Sequence, residues 1–75
     1  MATRKSARWP SPPSPVEIKD RRTEAGLTQQ AAADLVYVSL VTWQRYEGGV
    51  NAPIPAIWEL FVMKTEPIIA SRRPY

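Results

Sequence analysis

The sequence predicts an all-α fold of four short helices, and three observations support this class. Proline and glycine mark the ends of the apolar segments, Ser or Thr precedes two of these segments, and no segment has a clear strand pattern. The one β-prone run, residues 36–41, contains the helix-capping candidate Ser39. A chain of 75 residues has room for one small domain only.

Local signals place each helix in turn. Pro15 and Gly26 bracket the first helix, with proline at its start and glycine at its end. Thr28 is predicted to cap an alanine-rich second helix, and Ser39 to cap the third. Pro55 is expected at the first position of the fourth. The predicted helices are residues 16–25, 28–35, 39–47 and 55–64.

Two tails flank the helical domain, which is predicted at residues 16–64. Residues 1–15 end with four prolines in six positions, which excludes a helix and favours an extended polyproline II arm. Residues 65–75 begin with Thr-Glu-Pro, which is predicted to stop the fourth helix and leave a short C-terminal tail.

Composition excludes several classes of function. The chain has no cysteine and no histidine, so disulfides, the usual zinc ligand sets, Cys–His and Ser–His nucleophiles and a neutral-pH histidine base are excluded. We therefore expect a protein that is not an enzyme and needs neither a metal nor a cofactor. The absence of a long apolar run predicts a cytoplasmic protein with no membrane segment.

The net charge of +3 lies entirely in the tails. The N-terminal arm carries Arg4, Lys5 and Arg8 with no acidic residue, whereas residues 16–64 carry five basic and six acidic side chains. Such a basic tail is commonly a solubilising end. The alternative is an arm that contacts a polyanion.

Two short helices joined by a tight turn, the second opening with a serine cap, have the helix-turn-helix pattern. Residues 26–33 (Gly-Leu-Thr-Gln-Gln-Ala-Ala-Ala), Ser39 and residues 42–49 (Thr-Trp-Gln-Arg-Tyr-Glu-Gly-Gly) resemble the Cro/repressor (XRE-type) DNA-binding family, aligning without a gap from Arg22 to Pro53. The Thr-Trp-Gln-Arg-aromatic-Glu run, with the later Pro-x-x-Trp-Glu-Leu-Phe, resembles small phage and mobile-element regulators, anti-CRISPR-associated repressors among them. The resemblance implies a Cro/repressor-type helix-turn-helix fold that binds duplex DNA.

The third helix has two different sides on a wheel of about 100° per residue. Trp43 and Tyr46 share one side with Glu47 and, like other aromatic residues at helical spacing, are core candidates; the fourth helix adds Trp58, Leu60 and Phe61. The opposite side is free to meet the major groove.

Four residues of the third helix are candidate base contacts. Arg45 can bond guanine O6 and N7 together, Gln44 suits adenine N6 and N7, and Val41 can bury a thymine methyl group. A phosphate contact for Arg45 and a solvated surface position for Val41 are the alternatives. Leu40 could be a core residue by pattern alone, whereas the resemblance implies a base-facing position.

Candidate backbone contacts flank the base-reading residues. The resemblance implies a phosphate-binding glutamine at Gln29, in the first turn of the second helix, where the dipole favours an anion; a solvated amide is the alternative. Ser39 and Thr42 are hydroxyl residues beside the groove, and Asn51 is a candidate in the following loop. By analogy with homeodomain arms, the N-terminal arm adds Arg4, Lys5 and Arg8.

Two structural features also follow from the resemblance. Arg22 and Glu47 occupy positions that form an ion pair between the first helix and the end of the third. Tyr37 stands where the family usually has a glycine in the turn, and a positive φ would cost a tyrosine on the order of 1 kcal/mol.

The sequence thus predicts a repressor, specifically an autorepressor of a phage or mobile-element operon. It is expected to bind an inverted-repeat operator as a homodimer, with half-sites about 34–36 Å apart. The fourth helix and the tail residues Ile68 and Ile69 are candidates for the dimer seam. The alternative is a protein-interaction module, such as the antitoxin of a toxin–antitoxin pair whose tails hold the toxin.

Overall fold

A computed structural model describes residues 11–73, which form four helices joined by short connections. In chain order these are α1 (Pro15–Glu24), α2 (Gln29–Leu35), α3 (Leu40–Glu47) and α4 (Pro55–Arg72). No strand occurs in the described part of the chain. The predicted all-α fold class is therefore confirmed.

Side-chain caps explain where the first three helices begin. The hydroxyls of Ser14, Thr28 and Ser39 each accept the N–H of the residue three positions later, at 3.0 to 3.1 Å. At α1 the carboxylate of Glu17 also accepts the Ser14 N–H, which completes a capping box. Helix α4 has no side-chain cap but begins at Pro55, whose missing N–H needs no partner.

The first three helices also end alike. The residue after each C-cap has a positive φ: 74° at Gly26, 62° at Tyr37 and 78° at Gly49. In each case the next N–H donates to the carbonyl five residues earlier, at 3.1 Å after α1, 3.0 Å after α2 and 2.9 Å after α3. These are Schellman motifs, in which glycine is the usual left-handed residue. Tyr37 takes that position in the turn between α2 and α3.

The core lies where α1, α2 and α4 pack around α3. Its buried members are Ile18, Ala32, Ala33, Val36, Trp43, Tyr46 and Phe61. The Trp43 ring lies 4.8 Å from that of Phe61 and 5.8 Å, edge-on, from that of Tyr46. Among the predicted core residues, Trp58 and Leu60 are only half-buried, at the margin of this cluster. The fully buried alanines let α2 approach α3 closely.

The prediction that α4 stops before Pro67 is wrong. The helix continues from Lys64 through Pro67 to Arg72, so residues 65–72 are part of the domain and not a separate tail. Ile69 is 1 % exposed within the single chain, which also makes its predicted role in a dimer seam wrong. Ile68 is half-buried.

Contacts from Arg21 of α1 help α4 to accommodate Pro67. Proline inside a helix removes a hydrogen bond and crowds the preceding turn. The Arg21 guanidinium holds that turn from the side: Nε donates to Thr65 Oγ1 at 3.0 Å, and Nη2 donates to Val62 O at 3.1 Å and to Glu66 Oε1 at 2.8 Å. These tertiary contacts stabilise the turn that precedes Pro67, and the burial of Ile69 holds the helix after it.

The last turn of α4 lies against the end of α1. Arg72 Nε donates to the carbonyl of Glu24 at 3.0 Å, and Arg73 Nη2 approaches the Glu24 carboxylate at 3.3 Å. The Arg72 guanidinium also covers Gly26, where an added Cβ would lie 2.6 Å from Nη1. A cation at a helix C-terminus is stabilised by the exposed carbonyls there.

Candidate nucleic-acid interface

The outer face of α3 carries three exposed side chains, those of Val41, Gln44 and Arg45. Val41 is 54 % exposed. On the opposite side, Trp43 and Tyr46 are 1 % and 8 % exposed. The burial pattern therefore separates an anchored side from a free side, as the helical wheel indicates. The role of the free side in base contact stays a prediction.

The carboxylate of Glu47 joins three helices at the end of α3. Arg22 of α1 forms a two-point ion pair with it, Nε to Oε2 at 2.5 Å and Nη2 to Oε1 at 3.1 Å. Gln29 Nε2 of α2 donates to Oε1 at 3.1 Å, and Trp43 Nε1 donates to Oε2 at 2.6 Å. We call these four residues the Glu47 cluster. It fixes α3 relative to α1 and α2.

The Glu47 cluster is largely shielded from solvent, with side-chain exposures of 7 % for Glu47 and 13 % for Arg22. Burial acts to raise the pKa of Glu47, but hydrogen bonds from Arg22, Trp43 and Gln29 and the charge of Arg22 outweigh it. The pKa is therefore held below its ordinary value. Arg22 Nη1 also donates to Leu27 O at 3.0 Å, so the guanidinium is bonded on several sides. Burial raises the pKa of the neighbouring Tyr46.

Gln29 links the Glu47 cluster to the outer face of α3. Its amide nitrogen donates to Glu47, and its oxygen accepts a hydrogen bond from Gln44 Nε2 at 3.3 Å. Gln44 therefore keeps one N–H and its carbonyl oxygen for another partner. Sequence reasoning missed this contact, since the two glutamines lie on different helices and no local spacing relates them. The predicted phosphate contact of Gln29 has one amide hydrogen left for it.

The other predicted site residues lie around the start and end of α3. Ser39 Oγ accepts the Thr42 N–H and donates to Thr42 Oγ1 at 2.9 Å, which leaves the Thr42 hydroxyl hydrogen for a further acceptor. Leu40 is half-buried, and Asn51 is exposed in the loop after α3. Their contacts with DNA stay predictions. The remaining predicted contacts, Arg4, Lys5 and Arg8, lie outside the described residues.

A family model described as a helix-turn-helix domain matches residues 16–62, more than half of the chain. The chain belongs to this family. The predicted helix-turn-helix family is thereby confirmed, whereas the resemblance to phage and anti-CRISPR-associated regulators stays a prediction. No curated protein matches the sequence.

In this helix-turn-helix domain, α2 and α3 form the helix pair, so α3 holds the position that the recognition helix has in such domains. Such domains bind duplex DNA by placing the second helix of the pair in the major groove. The free side of α3, with Val41, Gln44 and Arg45, is the side available for that contact. The domain is accordingly that of a DNA-binding regulator. Within residues 11–73, no helix has both the length and the hydrophobicity that crossing a bilayer requires.

Proposed function

We propose that the protein is a sequence-specific repressor that reads base edges with Val41, Gln44 and Arg45. One observation carries the proposal: these side chains project from a helix whose other side is fixed by the aromatic core and the Glu47 cluster. A rigid helix presents its side chains in a defined geometry, which is what direct readout of base edges needs. Leu40, half-buried at the start of α3, lies at the edge of the same surface and is the fourth residue that we assign to base contact.

The chemistry of each side chain sets the base it prefers. Arg45 is exposed and has room to bond guanine O6 and N7, a pair that discriminates by about 1–3 kcal/mol. Gln44 is oriented by Gln29 and has one donor and one acceptor left, the combination that adenine N7 and N6 require. Val41 covers a thymine methyl group.

Phosphate contacts supply most of the affinity and little of the sequence preference. Thr42 donates its free hydroxyl hydrogen, Gln29 its second amide hydrogen, and Ser39 and Asn51 border the same backbone. Because residues 16–64 carry one more acidic than basic side chain, this surface needs additional cations. The basic arm provides them, with Arg4, Lys5 and Arg8 on the phosphates or in the minor groove.

The repressor acts as a homodimer on an inverted repeat. Helix α4 carries an apolar stripe at alternating spacings of four and three residues, formed by Ala56, Leu60, Met63, Pro67 and Ala70. These residues are exposed or half-buried, and Met63 is 71 % exposed. Such a stripe suits self-association about a two-fold axis. Two copies would place their recognition helices about 34–36 Å apart and exclude polymerase from a phage or mobile-element promoter, most simply the protein's own.

Selection of bound fragments from a random duplex pool gives the operator and tests the base-reading proposal. Arg45→Ala and Gln44→Ala should each lower the ratio of operator to random-duplex affinity by about 5- to 150-fold, which corresponds to roughly 1–3 kcal/mol. Arg73→Ala and Gln30→Ala remove matched side chains from other surfaces and should leave the ratio unchanged. If Arg45→Ala and Gln44→Ala keep the wild-type ratio while remaining folded, the proposal is wrong.

Sedimentation at micromolar concentration tests the dimer separately. The wild type should sediment as a dimer, and Met63→Lys should sediment as a folded monomer, because a buried lysine in a symmetric seam faces its own copy. A wild-type monomer, or a Met63→Lys dimer, would contradict the seam on α4.

A further inference from the structure

Lys64 of α4 makes three contacts with the turn of the helix-turn-helix pair. Its ammonium donates to Leu35 O, the last helical carbonyl of α2, at 2.7 Å, and to the Tyr37 hydroxyl at 3.1 Å. The ammonium also lies 4.4 Å from the centroid of the Tyr37 ring. Tyr37 is itself 80 % exposed, so the ring is not held by the core. We call this pair of residues the Lys64–Tyr37 latch.

Tyr37 holds a backbone position that glycine would fill without strain. Helices α1 and α3 end in the same motif with Gly26 and Gly49, and Tyr37 is the one non-glycine residue with positive φ among residues 11–73. A strained residue persists only where surrounding contacts hold it. Here the side chain that causes the strain is also the one that binds Lys64. A glycine at this position would relieve the strain and remove the latch together.

The latch acts on the part of the turn that sets the start of α3. Tyr37 stands two residues before Ser39, the N-cap of the recognition helix. The middle of α3 is fixed to α4 by the Trp43 and Phe61 rings, and its end by the Glu47 cluster. Its first turn, with Leu40 and Val41, is not part of either contact. Val36 and Val38, on either side of Tyr37, pack in or against the core. The latch adds a further attachment of this turn, to α4, beside the start of α3.

We propose that Lys64 and Tyr37 are positioning residues for base recognition, which fix the first turn of α3 by tying the turn before it to α4. This inference rests on the proposed function, since it names residues that act on the same base-reading surface. Because Lys64 follows the exposed Met63 of the proposed dimer seam, the latch also joins that seam to the start of the recognition helix.

A stability cycle tests the latch without DNA. Tyr37→Gly, Lys64→Met and the double variant are compared by urea denaturation. In the wild type, Tyr37→Gly relieves the backbone strain but also removes the latch, so its two effects on stability oppose each other. In the Lys64→Met background the latch is already absent, so Tyr37→Gly only relieves the strain. Tyr37→Gly should therefore change the folding equilibrium constant about fivefold more favourably in the Lys64→Met background than in the wild type. Equal effects of Tyr37→Gly in both backgrounds would show that the two side chains are not coupled and would overturn the latch.

DNA binding tests the positioning role, with every variant kept under fully folding conditions. Lys64→Met should lower the ratio of operator to random-duplex affinity by about two- to fivefold, and Lys64→Arg, which keeps a cation over the ring, should restore it. Lys19→Met removes the same charge from an exposed site on α1 and should leave the ratio unchanged. A purely structural role would change stability and not this ratio.

The outcomes separate the two proposals. If Arg45→Ala lowers the affinity ratio and Lys64→Met does not, the positioning role is wrong and the base-reading surface stands. If Arg45→Ala and Gln44→Ala leave the ratio unchanged, the proposed function and the positioning role fail together. In that case the stability cycle still decides whether the latch exists.

Discussion

Replacing Glu47 with alanine should remove a large share of the protein's free energy of unfolding. The Glu47 carboxylate accepts four hydrogen bonds from Arg22, Gln29 and Trp43, and its side chain is 7 % exposed. Removing it leaves the guanidinium largely buried without a counter-charge, a change that typically costs about 3–5 kcal/mol. A chain of 75 residues has a total stability of about 4–11 kcal/mol at the usual value per residue.

Urea denaturation followed by far-UV circular dichroism measures this loss. Glu24→Ala is the matched control, because Glu24 is paired with Arg73 at 3.3 Å but is 51 % exposed, and such exposed pairs contribute about 0–1 kcal/mol. The double variant Arg22→Met/Glu47→Met leaves no buried charge and should lose less than the two single variants summed. If Glu47→Ala costs no more than Glu24→Ala, the Glu47 cluster does not fix the recognition helix.

Three further predictions concern pH, the end of α1 and the arm. Because the folded-state pKa of Glu47 lies below its unfolded value of about 4.3, its stabilisation is fully present above about pH 5 and lost as the pH falls through the folded pKa. The stability difference between the wild type and Glu47→Gln should therefore shrink on acidification to about pH 3; a constant difference would contradict this. Gly26→Ala should lower the free energy of unfolding by about 1 kcal/mol, because φ is 74°. The Arg72 guanidinium, whose Nη1 lies 2.6 Å from the added Cβ, is flexible and adds a smaller steric cost, which Arg72→Ala should relieve. Deleting residues 1–9 should weaken binding to all duplexes and reduce the salt slope by about three per chain, whereas an unchanged slope would reject an arm on phosphates.

The limits of the first three helices could be predicted from sequence because their ends are local. Thr28 and Ser39 cap their helices with their own hydroxyls, and glycine ends two helices through its own backbone freedom. The end of α4 could not be predicted, because Pro67 is a local stop signal. The contacts that overcome it come from residues distant in sequence, Arg21 before the proline and Glu24, which accepts a hydrogen bond from Arg72, after it. Residues on another helix stabilise the helical conformation around the proline, and the sequence close to the proline does not include them.

The candidate site likewise has features that could be predicted from local sequence and features that depend on how the helices pack. Helical periodicity separates Trp43 and Tyr46 from the outer face of α3, because burial follows the wheel. The bond from Gln44 to Gln29 depends on how α2 crosses α3, and sequence spacing does not give this angle. The role of Tyr37 could be predicted only in part. The resemblance identifies an unusual residue in the turn, but its contact with Lys64 depends on the position of α4.

The most direct test of base reading removes one acceptor atom from the operator. Each guanine of the selected operator is replaced in turn by 7-deazaguanine, which lacks N7, and the affinities of the wild type and Arg45→Ala are measured. At one guanine per half-site, the wild type should lose a part of the roughly 1–3 kcal/mol that the whole two-point pair contributes, because O6 remains, and Arg45→Ala should lose nothing further. Equal losses for the two proteins at every guanine would contradict the assignment of Arg45 to a base.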